Sequence, residues 1–235
     1  MLSDRMAAVW AGALFIAGDI AGVGSVAVAG GLLKAPADLA QIAAHPDRLA
    51  AAALLILLMG FSLAAVPLVL YPVFRRFDPV LALGYVVFRG AIETVTYVAS
   101  AGALLCLAAL SKEFVATGHQ APHYATLASL LLKAQSSVIA DLTSIVFAIG
   151  ALLFNWLFFK SRLVPRWLAA WGLAGAVLYL LSGLLDVFGV SAGYLLVVLA
   201  VQEIVLALWM IAKGFRGSSP AASSTVDPLA TEAAG

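Results

Sequence analysis

Charge is scarce in this sequence. Asp, Glu, Lys and Arg make up 11% of 235 residues, where a soluble globular domain carries roughly 25%. A soluble domain of this length cannot cover its surface with so few charges, and that class is excluded. Neither sign is in surplus: the formal net charge is +1, which removes nucleic acid and other polyanions as expected partners. Cysteine occurs once, at Cys106, so neither an internal disulfide nor a paired-cysteine metal site can form. Set in an apolar run, Cys106 reads as a small buried hydrophobe. Histidine occurs only at His45, His119 and His123, all in breaks between apolar runs. With none inside an apolar run, bis-histidine haem ligation and serine–histidine intramembrane proteolysis are excluded. HExxH, GxSxG, P-loop and dinucleotide-binding glycine patterns are missing as well. The expectation is a chain that is not an enzyme and holds no cofactor or metal. His119 and His123 stand four apart, but Pro122 lies between them and no carboxylate or cysteine adjoins them, a weak signal for a metal. GxxxG occurs at Gly18/Gly22 and Gly189/Gly193, no more than chance supplies with 20 glycines, so no dimer face is inferred.

What the chain has instead is apolar length. Hydrophobic residues make up 64%, against roughly 45–50% in soluble domains. Six runs reach the roughly 20 residues needed to span a bilayer, at 7–32, 49–73, 80–110, 125–159, 167–188 and 192–212. The first runs beyond the roughly 7–15 residues of a signal-peptide core and is read as a retained helix. Short breaks rich in Pro, Gly and charge separate the runs, leaving no room for an inserted soluble domain. The domain expectation is therefore a six-helix membrane domain over 1–214, followed by a disordered Gly/Ser/Pro/Ala-rich tail over 215–235.

Lys and Arg set the orientation. Arg5, Arg75, Arg76, Lys160, Arg162, Arg166, Lys213 and Arg216 fall on the N-terminal side, and only Lys34, Arg48 and Lys112 on the other. That bias places both termini in the cytoplasm. Trp10, Trp156, Trp167 and Trp209 fall near the same membrane face, with Trp171 one turn deeper, as interfacial tryptophan should.

A few ionisable residues lie inside the runs, where each costs at least about 2.5–3.5 kcal/mol at a helix centre. In the third run, Arg89 and Glu93 are four apart and share a face. That face continues through Tyr85, Thr96, Tyr97 and Ser100 as a polar stripe. At a rise of about 1.5 Å per residue, Asp19 lies about 18 Å from the N-terminal face, Arg89 about 15 Å, Glu93 about 21 Å and Glu203 about 15 Å. Gln202 adjoins Glu203. Helices one, three and six thus bring their ionisable groups to one level near mid-bilayer. One arginine against three carboxylates leaves surplus acid, which an apolar interior does not tolerate unless a carboxylate is protonated or a cation is bound. Asp19, Arg89, Glu93, Gln202 and Glu203 are therefore the candidate ligand or ion site. The competing reading is a clamp that only fixes helix packing. A second, external cluster joins Asp141 with Ser137 and Ser144 on helix four and Asp186 on helix five. Lys133 stands near enough to pair with Asp141 at the interface.

Three stretches resemble an uncharacterised bacterial membrane family, domain of unknown function 4386. They are 70–76 (LYPVFRR) leading into 81–93 (LALGYVVFRGAIE), 160–172 (KSRLVPRWLAAWG) and 202–215 (QEIVLALWMIAKGF). The resemblance covers roughly 7–215 and includes Arg89, Glu93, Gln202 and Glu203. It implies a six-helix protein of the bacterial inner (cytoplasmic) membrane and no established activity. The fold expected is all-α, a polytopic membrane bundle of six transmembrane helices. The leading functional expectation is a transporter-like protein that binds a small solute, a proton or a cation within the lipid bilayer. The alternative is a structural or regulatory membrane protein. Oligomeric state is not legible.

Overall fold

The computed structural model describes residues 2–34, 37–118 and 123–216. Among the described residues the structure is helical, and six helices are long and apolar enough to cross a membrane: Asp4–Leu33, Pro46–Phe74, Pro79–Ala116, His123–Ser161, Arg166–Val187 and Gly193–Ala212. A short helix, Leu39–Ala44, lies in the first connection. Single apolar runs become single helices because in hydrocarbon every backbone N–H and C=O must be satisfied within the segment. The ends follow ordinary capping chemistry. The Ser3 hydroxyl accepts from the Met6 amide at 3.2 Å. Asp78 does the same for the Leu81 amide at 3.0 Å, ahead of Pro79 in the first turn, where a missing N–H does no harm. The fourth span ends on Arg162 in the left-handed region, φ +57°.

Each span packs on its sequence neighbours, and the first packs on the sixth, so the six form a closed ring. Arg5 secures that closure. Its guanidinium donates to the carbonyls of Met210 (3.2 Å), Ile211 (2.8 Å) and Ala212 (3.3 Å), a cation set on the negative end of the sixth span. The beginning and end of the described chain therefore lie together at one end of the bundle, here called the base. The opposite end is the rim. The chain stays packed beyond residue 214: Phe215 is buried, its ring 5.9 Å from that of Phe158, and the Arg216 amide donates to the Leu163 carbonyl. Of the expected tail, 217–235 lies outside the described residues.

The two ends are built differently. The largest buried core occupies the base and centres on aromatic rings, with Phe154 tilted at 5.5 Å from Phe15, edge-to-face at 6.1 Å from Phe74 and 4.7 Å from Phe158, and stacked at 5.0 Å on Tyr85. Towards the rim the core divides into smaller clusters with cavities between them. Exposed Ile20, Val23, Val26, Leu54, Leu58 and Phe61 present the apolar coat that lipid requires. Cys106 belongs to that coat: it is exposed, and a small thiol sits as readily against acyl chains as in a core. Trp10, Trp156 and Trp167 are exposed at the base.

A second polar tie at the base has a pH signature. Lys160 donates to the Asp78 carboxylate at 2.7 Å. The Leu81 amide, and after it the Lys160 ammonium, hold the Asp78 carboxyl below its ordinary value. A carboxyl lowered in the folded state stabilises above its unfolded pKa of about 4, and that contribution is lost as pH falls through the folded value. On acidification from about pH 6 to about pH 3, wild-type protein in detergent should lose more thermal stability than Asp78→Asn. Parallel melting curves for the two proteins would rule the linkage out.

Candidate functional site

The third span departs from regular α-helix over Val86–Ile92, which forms a π-helical turn carrying Arg89. Such turns insert a residue into the helix and recur at functional sites. They leave the polar stripe pointing inward: Arg89 is 2% exposed and Glu93 0%. Arg89 Nη1 donates to Glu93 Oε2 at 3.3 Å, and the Tyr97 hydroxyl donates to Glu93 Oε1 at 2.8 Å. Thr96 turns its hydroxyl to the Glu93 carbonyl. The guanidinium carbon lies 4.4 Å from the Phe147 ring centre and 5.4 Å from that of Phe15. Two aromatic faces and two carboxylates therefore surround one fixed positive charge.

The second carboxylate comes from the sixth span. Glu203 Oε1 stands 3.6 Å from Arg89 Nη2, with its side chain 11% exposed. Asp19, half-buried on the first span, lines a cleft of about 330 Å³ together with Glu203. The three acids are graded in their partners. Glu93 has both oxygens engaged, Glu203 is held by one, and Asp19 has no hydrogen bond or ion pair among the described residues. A desolvated carboxylate without a partner is costly, so the excess charge of the group is concentrated on the cleft side.

Gln202 goes elsewhere. Its amide nitrogen donates to Asn155 Oδ1 at 3.1 Å and to the Leu168 carbonyl at 3.2 Å, and Asn155 in turn donates to the Ala151 carbonyl at 2.9 Å. This second buried knot joins the fourth, fifth and sixth spans. It depends on Gly172, since a Cβ there would fall on the Asn155 amide. Among the described residues Gln202 makes no hydrogen bond to Arg89. Neighbours in sequence, Gln202 and Glu203 point about 100° apart around a helix and serve different clusters.

Two cavities approach the charged group without including Arg89 or Glu93 in their walls. A vestibule of about 510 Å³ on the rim side is lined by Tyr97, Ser100, Gln135, Thr143 and Tyr179, with Ile56 and Met59. The other is the Asp19–Glu203 cleft. Both have Gly22 and Met59 in their walls. The vestibule thus reaches Tyr97, which holds Glu93, while the cleft reaches Glu203, which holds Arg89 from the other side.

The external cluster also comes together. Asp141 and Asp186, with Ser136, Ser137, Ser144 and Ser191, line an open cleft of about 440 Å³ near the rim. Lys133, which opens no ion pair among the described residues, is not Asp141's partner. His119 lies outside the described residues, and with it the His119/His123 pair; the His123 ring lies tilted at 4.5 Å from that of Tyr124. Phe15, Phe147, Met59 and Tyr179 escaped the sequence reading, because an aromatic or methionine within an apolar run carries no mark of facing inward.

The model of the family described as Domain of unknown function (DUF4386) matches residues 10–214. No curated protein and no solved structure matches the chain. With the family model spanning all six helices and the charged interior, the chain is a multi-pass membrane protein belonging to the DUF4386 family.

Proposed function

We propose that this is a transporter-like protein of the bacterial inner membrane that binds a small solute together with a proton or cation, with both termini in the cytoplasm and the rim facing outward. It performs no catalysis. The single observation that carries the reading is the chain of contacts joining two cavities: vestibule, Tyr97, Glu93, Arg89, Glu203, cleft. The base is closed by the aromatic core and the rim side is hollow, the arrangement of a site entered from one face. Arg89 serves as the fixed counter-charge, shielded by Phe15 and Phe147. Glu203 and Asp19, with incomplete partners, are the groups that exchange the proton or hold the cation.

The test is a difference titration of purified protein in detergent. Wild type should take up about one proton per chain that Glu93→Gln/Glu203→Gln does not, because one guanidinium cannot neutralise three carboxylates within the spans. The second reading, a packing clamp, draws on the same salt bridges: Arg89 does tie the third span to the sixth. It requires superimposable titration curves, and that result would sink the binding reading.

A further inference from the structure

The vestibule and the Asp19–Glu203 cleft meet at one place. Gly22 and Met59 belong to the walls of both, and a Cβ on Gly22 would lie 2.7 Å from Met59 Sδ. The absence of a side chain at Gly22 is what lets the methionine close against the first span. Met59 is half-buried and unbranched, with three rotatable bonds, so it can leave its place without disturbing the backbone. Of the two residues the cavities share, only Met59 has a side chain to move; its larger neighbours Ile56 and Tyr97 line the vestibule alone, and Ile204 the cleft alone. Tyr97 is further restrained by its bond to Glu93.

We infer that the two cavities are the halves of one binding site and that Met59 is the gate between them, the residue deciding whether a solute or water from the vestibule reaches the carboxylates of the cleft. The inference rests on the binding reading above and assigns its control point. With Met59 against Gly22, the vestibule meets the charged group through its wall residue Tyr97, which donates to Glu93. With Met59 swung aside, Glu203 and Asp19 come into direct contact with whatever occupies the vestibule, and the surplus acid acquires a counter-charge or a proton. The gate therefore couples occupancy of the vestibule to the charge state of the cleft.

Thiol accessibility in lipid nanodiscs tests it, using the full chain with Cys106→Ser. Ser100→Cys reports on the vestibule and Ala200→Cys on the cleft. The probe is a membrane-impermeant trimethylammonium methanethiosulfonate, which modifies thiols only where water reaches. Ser100→Cys should react at one rate whatever stands at position 59. Ala200→Cys should react faster as that side chain shrinks from Met59 through Met59→Val to Met59→Ala. The last step should reach about tenfold over the parent, as expected for removing a rotamer-displacement barrier. The graded series keeps the test usable if Met59→Ala folds poorly. Equal rates at Ala200→Cys across the series, with Ser100→Cys reactive, overturn the gate and leave the binding reading standing. An unreactive Ser100→Cys shows a dry vestibule and overturns both.

Discussion

Replacing Arg89 by methionine should cost about 3–5 kcal/mol of stability, the loss expected when one partner is removed from a buried charge pair. The substitution keeps a long apolar stem between Phe15 and Phe147 but strands Glu93 and Glu203 without their common counter-charge. Chemical or thermal unfolding in detergent reads the loss. The sharper part of the expectation is reversal: Arg89→Met combined with Glu93→Gln and Glu203→Gln should recover most of it, since the cost lies in stranded charge and not in lost packing volume. If the triple variant is as unstable as Arg89→Met alone, the ion pairs are not what holds these helices together. A triple variant that is stable but takes up no proton would separate the architecture of the site from its use.

The second large effect is expected at Gly172. In Gly172→Ala the added methyl occupies the space of the Asn155 amide, and Asn155 cannot yield without releasing Gln202 and the Ala151 carbonyl. Overpacking of about 1–3 kcal/mol adds to about 1–3 kcal/mol for each buried polar group left unsatisfied. The expected loss is about 3 kcal/mol, taken from the lower half of those ranges because Gln202 keeps its bond to the Leu168 carbonyl. The informative comparison is the double variant. Gly172→Ala/Asn155→Ala removes the obstacle along with the bond and should be more stable than Gly172→Ala by itself, a coupling of opposite sign to additivity. A double variant less stable than either single one would show that the clash is relieved by backbone movement instead.

These two knots also mark what the sequence disclosed and what it hid. The helices were legible because length and hydropathy alone dictate a span in hydrocarbon. The convergence of Arg89 and Glu93 with Glu203 followed from counting rise along the third and sixth helices, since depth is fixed by sequence position. Rotation about each helix axis is less well fixed. Gln202 therefore looked like part of the Arg89 group by depth, yet faces Asn155. The π-helical turns at Val86–Ile92 and Ala134–Ile139 have no composition signal, and each shifts which residues of its span face inward. The pairing of Asn155 with Gly172 depends on how closely the fourth and fifth spans approach, which no residue pattern carries. Met59 was invisible for a related reason: its role comes from the space opposite it, and Gly22 gave no hint of a partner across the bundle.

The closure of the ring through Arg5 has a consequence for biosynthesis. Spans enter the membrane in order from the ribosome, and the contact between Arg5 and Met210 to Ala212 can form only after the sixth span has been made. Glu203 lies on that same last span. Until it arrives, Arg89 has Glu93 alone, and Asp19 has waited in the bilayer since the first helix was inserted. The charged interior is thus the final part of the molecule to assemble. A chain interrupted before residue 203 would carry an incomplete ion-pair group in an unclosed ring, a feature by which quality control could tell an unfinished copy from a complete one.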